Sequence, residues 1–203
     1  MALTTFVAGN VLTAAQLNDS FAAVGGLRAT VPTSATVTGA GSSATVGTHG
    51  KVTFATAASL SINGCFSASF TNYRVIIDFD SAGTLNVDAR LRVGGADNTT
   101  ASSYIWQGLG ANNTTISGTR VTTTSWRLGG ASTYATNAMS LDIYRPFEAD
   151  TTAFYVIGAN SNSGALLDVN CGTHNQNTSY DGFTLIPTSS TISGTVTVYG
   201  YFG

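Results

Sequence analysis

Tyr104, Trp106, Trp126 and Tyr134 stand beside polar, Gly-rich turns in the stretches SSYIWQG and TTSWRLGGASTY. Flat aromatic faces with Asn, Gln and Arg close by suit a sugar, which offers apolar ring faces and a rim of hydroxyls. These four are the candidate glycan-binding residues, against the alternative that the tryptophans are core anchors. Acid–base chemistry has weaker candidates. Cleavage of a glycosidic bond commonly needs two carboxyl groups flanking it. Here Glu148 is the only glutamate, next to Asp150 in RPFEADTT, which reads as a turn opened by Pro146.

Other reaction centres fail on spacing. DFDSAG, from Asp78, begins like a calcium loop, but Ala82 stands where a third oxygen ligand belongs and Ala89 where the bidentate Glu belongs. GTHGK resembles the end of a phosphate-binding loop, yet Thr45 replaces its first Gly and Val52 follows Lys51. There is no G-x-S-x-G elbow, and His49 and His174 lie in separate segments without a nucleophile signature. With Cys65 and Cys171 lacking CxxC spacing, no metal-ligand set is recognisable. The expectation is therefore a protein that is not an enzyme, with no catalytic residue, metal or cofactor. The two cysteines fit either a disulfide or two buried small apolar residues. Buried free thiols are expected, because a chain without a signal peptide matures in a reducing compartment. Asn-x-Ser/Thr sequons at Asn18, Asn98, Asn112, Asn113 and Asn177 follow from composition alone.

Composition narrows the partners. Charged residues make up 9% of the 203, apolar residues 43% and aromatics 10%, so the chain should fold, with a surface mainly of neutral Thr, Ser, Asn and Gly. A net charge of -2 and a single lysine, Lys51, give no basic stripe for nucleic acid or anionic lipid. No apolar run reaches the roughly 18 residues a bilayer span requires, so no membrane insertion is expected. The first basic residue is Arg28, so no export signal is read, and release by cell lysis is the expected route out.

The elements follow from periodicity. Thr13 with Gln16 forms a capping box, Leu12 and Leu17 a hydrophobic staple, and Ala14, Leu17, Phe21 and Val24 an apolar stripe before Gly25-Gly26. The spacing predicts one short helix within an attachment segment, residues 1–27, whose stripe must dock on a partner or on its own body. Residues 28–50, rich in Thr, Ser and Gly, read as an extended linker or edge strands. Residues 51–203 read as the main domain. LNVDARLRV alternates apolar and polar residues from Leu85 to Val93, and YRVIIDFD precedes it through a connection of hairpin length. In the last strand Val196, Val198 and Phe202 share one face, and Thr195, Thr197, Tyr199 and Tyr201 the other. Nine to eleven short strands are expected, giving an all-β, antiparallel two-sheet sandwich of jelly-roll-like kind.

The two ends carry a resemblance. FVAGNVLTAAQLN at the start, DGFTLIPTSSTISGTVTVYGYFG at the end, and SLSINGCFSASFTNYRVIIDFD with LRVGGADNTTASSYIWQG between them are similar to bacteriophage tail-fibre and minor tail proteins. The resemblance implies a virion structural protein, usually a homotrimer, attached through its N-terminal helix to other tail proteins. Its β-domain would reach towards polysaccharide on the host surface. Leu12, Leu17, Phe21 and Val24 would then be the attachment or assembly contacts. The alternatives are a head decoration or collar protein with no receptor, or a stand-alone lectin-like module.

Overall fold

Leu85, Val87, Ala89 and Leu91 are buried, while Asn86, Asp88 and Arg90 between them are half-buried. This alternation gives a strand one face for a core and one for water. The computed structural model describes residues 26–112, 114–133, 137–160 and 166–201. The predicted helix with Leu12, Leu17, Phe21 and Val24 lies outside the described residues, as do Tyr134 and Phe202.

The chain enters through β1 (Arg28–Ala29), β2 (Ser34–Thr38), β3 (Ser43–Val46), β4 (Val52–Ala57) and β5 (Ser59–Asn63). It continues through β6 (Asn72–Ser81), β7 (Leu85–Val93), β8 (Ala96–Asp97), β9 (Tyr104–Asn112), β10 (Thr115–Thr123) and β11 (Trp126–Ala131). Last come β12 (Asn137–Tyr144), β13 (Thr152–Asn160), β14 (Leu166–His174), β15 (Gly182–Pro187) and β16 (Ile192–Tyr201). They form a large sheet in the order β10-β9-β14-β13-β12-β6-β16-β4-β3, with β1 beside β16, and a small sheet in the order β11-β7-β15-β5-β2, with β8 beside β7. Among the described residues the fold is all-β and every pairing is antiparallel.

The described residues form sixteen strands, more than the nine to eleven expected. The surplus comes from the Thr/Ser/Gly-rich stretch, which supplies β1, β2 and β3, from the short β8, and from TISGTRVTT, which forms β10. β2–β3 and β4–β5 are the two arms of one bent ribbon: β3 pairs with β4 in the large sheet, and β2 with β5 in the small one. At its bend the Ala58 N–H donates to Thr38 O at 2.7 Å, and Gly39 takes φ 125°, where a Cβ would lie 2.7 Å from Thr56 O.

The hairpin suggested between β6 and β7 is not formed. β6 pairs with β12 and β16, and β7 with β11 and β15, so the connection arches from one sheet to the other. The reason is packing: Val75, Ile77 and Phe79 on β6 and Val87, Ala89 and Leu91 on β7 are all buried and belong to one core between the sheets. Phe66, Tyr73 and Phe183 fill one region, with Phe66 and Tyr73 ring centroids 4.6 Å apart. Cys65 is buried there, and burial pushes its thiol well above the ordinary range.

The expectation of two buried thiols fails at Cys171, which is exposed; both cysteines are unpaired. Its strand explains why. On β14, Asn170 and His174 are buried and point to the inner face with Asp168, whereas Leu167 is 44% exposed on the outer face with Cys171. Neighbouring strands also carry outward apolar residues, Ile157 on β13 42% exposed and Leu109 on β9 52% exposed, while Phe154, Val156, Tyr104 and Trp106 on the same strands stay inward. The flank of the large sheet thus carries apolar side chains on its outer face, and of these three strands β14 alone turns a polar row, Asp168, Asn170 and His174, inward.

Candidate functional site

The small sheet is the narrower of the two. Its edge strand β11 packs over β12, β13, β14 and β9. Beyond that edge the large sheet continues through β9 to β10, so the inner face there loses its cover. The result is a cleft of about 140 Å³ lined by Trp106, Gly108 and Gly110 of β9, Ser117 and Thr119 of β10, Asp168 and Asn170 of β14, Arg127, Gly129 and Gly130 of β11, and Asn86.

Each wall is held by specific bonds. Asp168 Oδ2 accepts the backbone N–H of Gly130 at 2.7 Å, tying the edge of the small sheet to the large one. Asn170 Nδ2 donates to Leu128 O at 3.1 Å, which leaves its Oδ1 beside Gly108, where a Cβ would stand 2.0 Å from that oxygen. β11 carries a bulge between Arg127 and Gly129. Bulges re-aim side chains, and here Arg127 Nε donates to Asp88 Oδ1 at 2.5 Å while its guanidinium carbon lies 5.7 Å from the centre of the Trp106 ring. Ser125 Oγ donates to the other Asp88 oxygen at 3.0 Å. Arg127 is therefore charge-compensated and stacked on an aromatic face, which fixes both groups.

The four aromatic candidates part company. Trp106 lies at the cleft, 9% exposed. Trp126 is a core residue: it stacks on Phe154 with centroids 4.5 Å apart, and its Nε1–H donates to Thr173 O at 3.1 Å. Tyr104 is wholly buried edge-on to Trp126, its hydroxyl accepting the Leu91 N–H at 3.0 Å and donating to Asn98 O at 2.9 Å. Neither ring is open to a ligand, because the core already covers both faces. Tyr134 lies outside the described residues.

The acidic and imidazole candidates are engaged elsewhere. Glu148 and Asp150 both bind Arg145, at 2.6 and 3.0 Å, in an exposed turn. His174 is buried against Tyr104, its Nε2 is 2.6 Å from the Tyr180 hydroxyl, and burial pulls its pKa down to about 4. Asp78 and Asp80 point outward from β6. Among the described residues no group of three or more His, Cys, Asp or Glu could hold a metal ion, and no helix is long and apolar enough to cross a membrane.

Asp168, Asn170, Arg127 and the glycine floor were not singled out from sequence. One signal for them exists. In LLDVNCGT the polar residues recur with period two, and an inward polar row is informative only once the face is known. Chemically, the cleft presents carboxylate and amide acceptors, hydroxyls, an aromatic edge and backbone left bare by glycine, groups that suit the binding of a polar ligand. No family model matches the chain, and neither does any curated protein or solved structure.

Proposed function

We propose that this chain is a non-catalytic structural component of a phage virion tail, a tail-fibre or minor tail protein, whose jelly-roll-like domain recognises a host-surface glycan. The observation that carries this reading is the cleft at Trp106, Arg127 and Asp168: a concave, glycine-floored, mixed polar and aromatic site is what saccharide recognition asks for. The similarity of both chain ends to tail proteins supports the virion part. Leu12, Leu17, Phe21 and Val24 are the attachment contacts in this reading. Engagement of Glu148, Asp150 and His174 in structural bonds supports a binding rather than a hydrolytic role.

A glycan array with the full chain tests it. Binding that is lost in Thr119→Trp, which fills the cleft from an exposed position of β10 and leaves the core untouched, supports recognition; no signal on any glycan removes it. Deleting residues 1–27 should abolish incorporation into the particle if they attach the protein. The outward apolar residues Ile157, Leu109 and Leu167 favour a second reading, a head decoration or collar protein without a receptor. Labelling the protein on assembled particles separates the two, since a tail-tip location fits only the first.

A further inference from the structure

We infer that the cleft is a subsite for one neutral pyranose ring, held through adjacent hydroxyls by Asp168 and Asn170, and closed to acidic sugars. The inference rests on the glycan-binding reading and narrows its ligand. Size comes first. A cavity of about 150 Å³ accepts a benzene-sized ring, and this cleft, at about 140 Å³, matches one six-membered ring rather than a chain of them.

Polarity comes next. Asp168 and Asn170 are two apart on β14, so their side chains project in parallel from one face, as successive same-face residues of a strand do. Each is anchored by one polar atom, Asp168 Oδ2 on the Gly130 N–H and Asn170 Nδ2 on Leu128 O. Asp168 Oδ1 lies by Gly110 and Asn170 Oδ1 by Gly108, with a Cβ at either glycine coming within 3.3 or 2.0 Å of those oxygens. The result is a pair of fixed oxygen acceptors over a floor without side chains. Hydroxyl donors on adjacent ring carbons are the complementary group, and a carboxylate acceptor makes the stronger, charge-assisted bond. Ser117 and Thr119, on β10 at the other side of the β9 floor in the same sheet, donate or accept as a ring oxygen or further hydroxyl requires.

Charge decides the class of sugar. Arg127 is the one cation among the lining residues, and its charge is met by Asp88, which leaves the Asp168 carboxylate as the net charge facing the cleft. A uronic or sialic acid carboxylate, or a phosphate, would enter against that charge with no spare cation to receive it. Like charges at close range in a site partly shielded from water repel strongly.

The test is saturation-transfer NMR and titration of the Trp106 indole signal in the full chain with methyl glucoside, methyl mannoside, methyl galactoside, glucuronic acid and N-acetylneuraminic acid. Neutral glycosides should bind and shift the indole, and the two acids should bind at least tenfold more weakly. Asp168→Asn, which keeps an acceptor for Gly130 and hence the fold, should weaken neutral-sugar binding about ten- to a hundredfold. Gly108→Ala should act in the same direction by displacing Asn170. Equal or tighter binding of the acids overturns the inference, as does neutral-sugar binding that survives Asp168→Asn and leaves the indole unmoved; both leave glycan recognition standing. No binding of these probes and of every glycan on the array removes both.

Discussion

At His174 a single proton acts on the stability of the whole sandwich. The ring is buried between Tyr104 and Tyr180, and its pKa falls from 6.5 to about 4 because burial disfavours the charged form. Below pH 6.5 the unfolded chain therefore binds a proton that the folded one refuses. Stability should be level with respect to this group above pH 6.5 and fall as pH drops towards 4, by at most about 1.4 kcal/mol per pH unit. Urea titrations across that window check this, and His174→Gln should flatten the slope. A second residue-scale prediction concerns Tyr73, whose hydroxyl accepts the Ser67 N–H and donates to Ser67 O, both at 2.7 Å. Tyr73→Phe leaves the Ser67 N–H without its acceptor and Ser67 O with only the Phe70 N–H, at 3.4 Å, and should cost about 1–3 kcal/mol in chemical denaturation.

At the scale of elements, the flank strands depend on close backbone approach. A Cβ on Gly172 would lie 2.0 Å from Ile105 O and 2.7 Å from Trp106 Cα, and backbone cannot swing aside as a side chain can. Gly172→Ala should force β14 away from β9, lower the urea midpoint by the equivalent of about 1–3 kcal/mol or more, and deform the cleft. Gly118→Ala, with nothing nearer than 3.8 Å, is the matched control that should be near neutral. These strands also mark where the sequence was readable. β7 and β16 alternate so regularly that their buried rows, Leu85 to Leu91 and Val196 with Val198, were legible. β10 was not, because Ser, Gly and Thr dominate it and most of its residues are exposed on both faces. On β14 the period was visible but its sense was not. Period two says that a strand has two faces, and the usual choice puts Leu167 and Cys171 inside, the reverse of their position.

The whole molecule shows why one part of the site was legible and the rest was not. Trp106 announced itself by residue type. Asp168, Asn170 and Gly108 become a cleft only because β14 meets the consecutive strands β9, β10 and β11, far ahead of it in the chain, where the small sheet stops. The same flank places Ile157, Leu109 and Leu167 on the outer surface. Contiguous apolar surface promotes association. Replacing these three with Thr should leave the melting temperature almost unchanged, reduce binding of a hydrophobic dye, and lower any concentration-dependent self-association seen by sedimentation.

β1 enters beside β16, held by pairing of Arg28 with Gly200 and Ala29 with Tyr199, whereas the cleft lies at the opposite flank of the same sheet. From β16 to β9 there are five inter-strand steps, about 24 Å at the usual spacing of strands. A pull on the leading segment resisted at the cleft would cross those steps at right angles to the strands. Tension would then be borne by hydrogen bonds in series rather than by covalent backbone, a compliant arrangement that yields by peeling one ladder at a time.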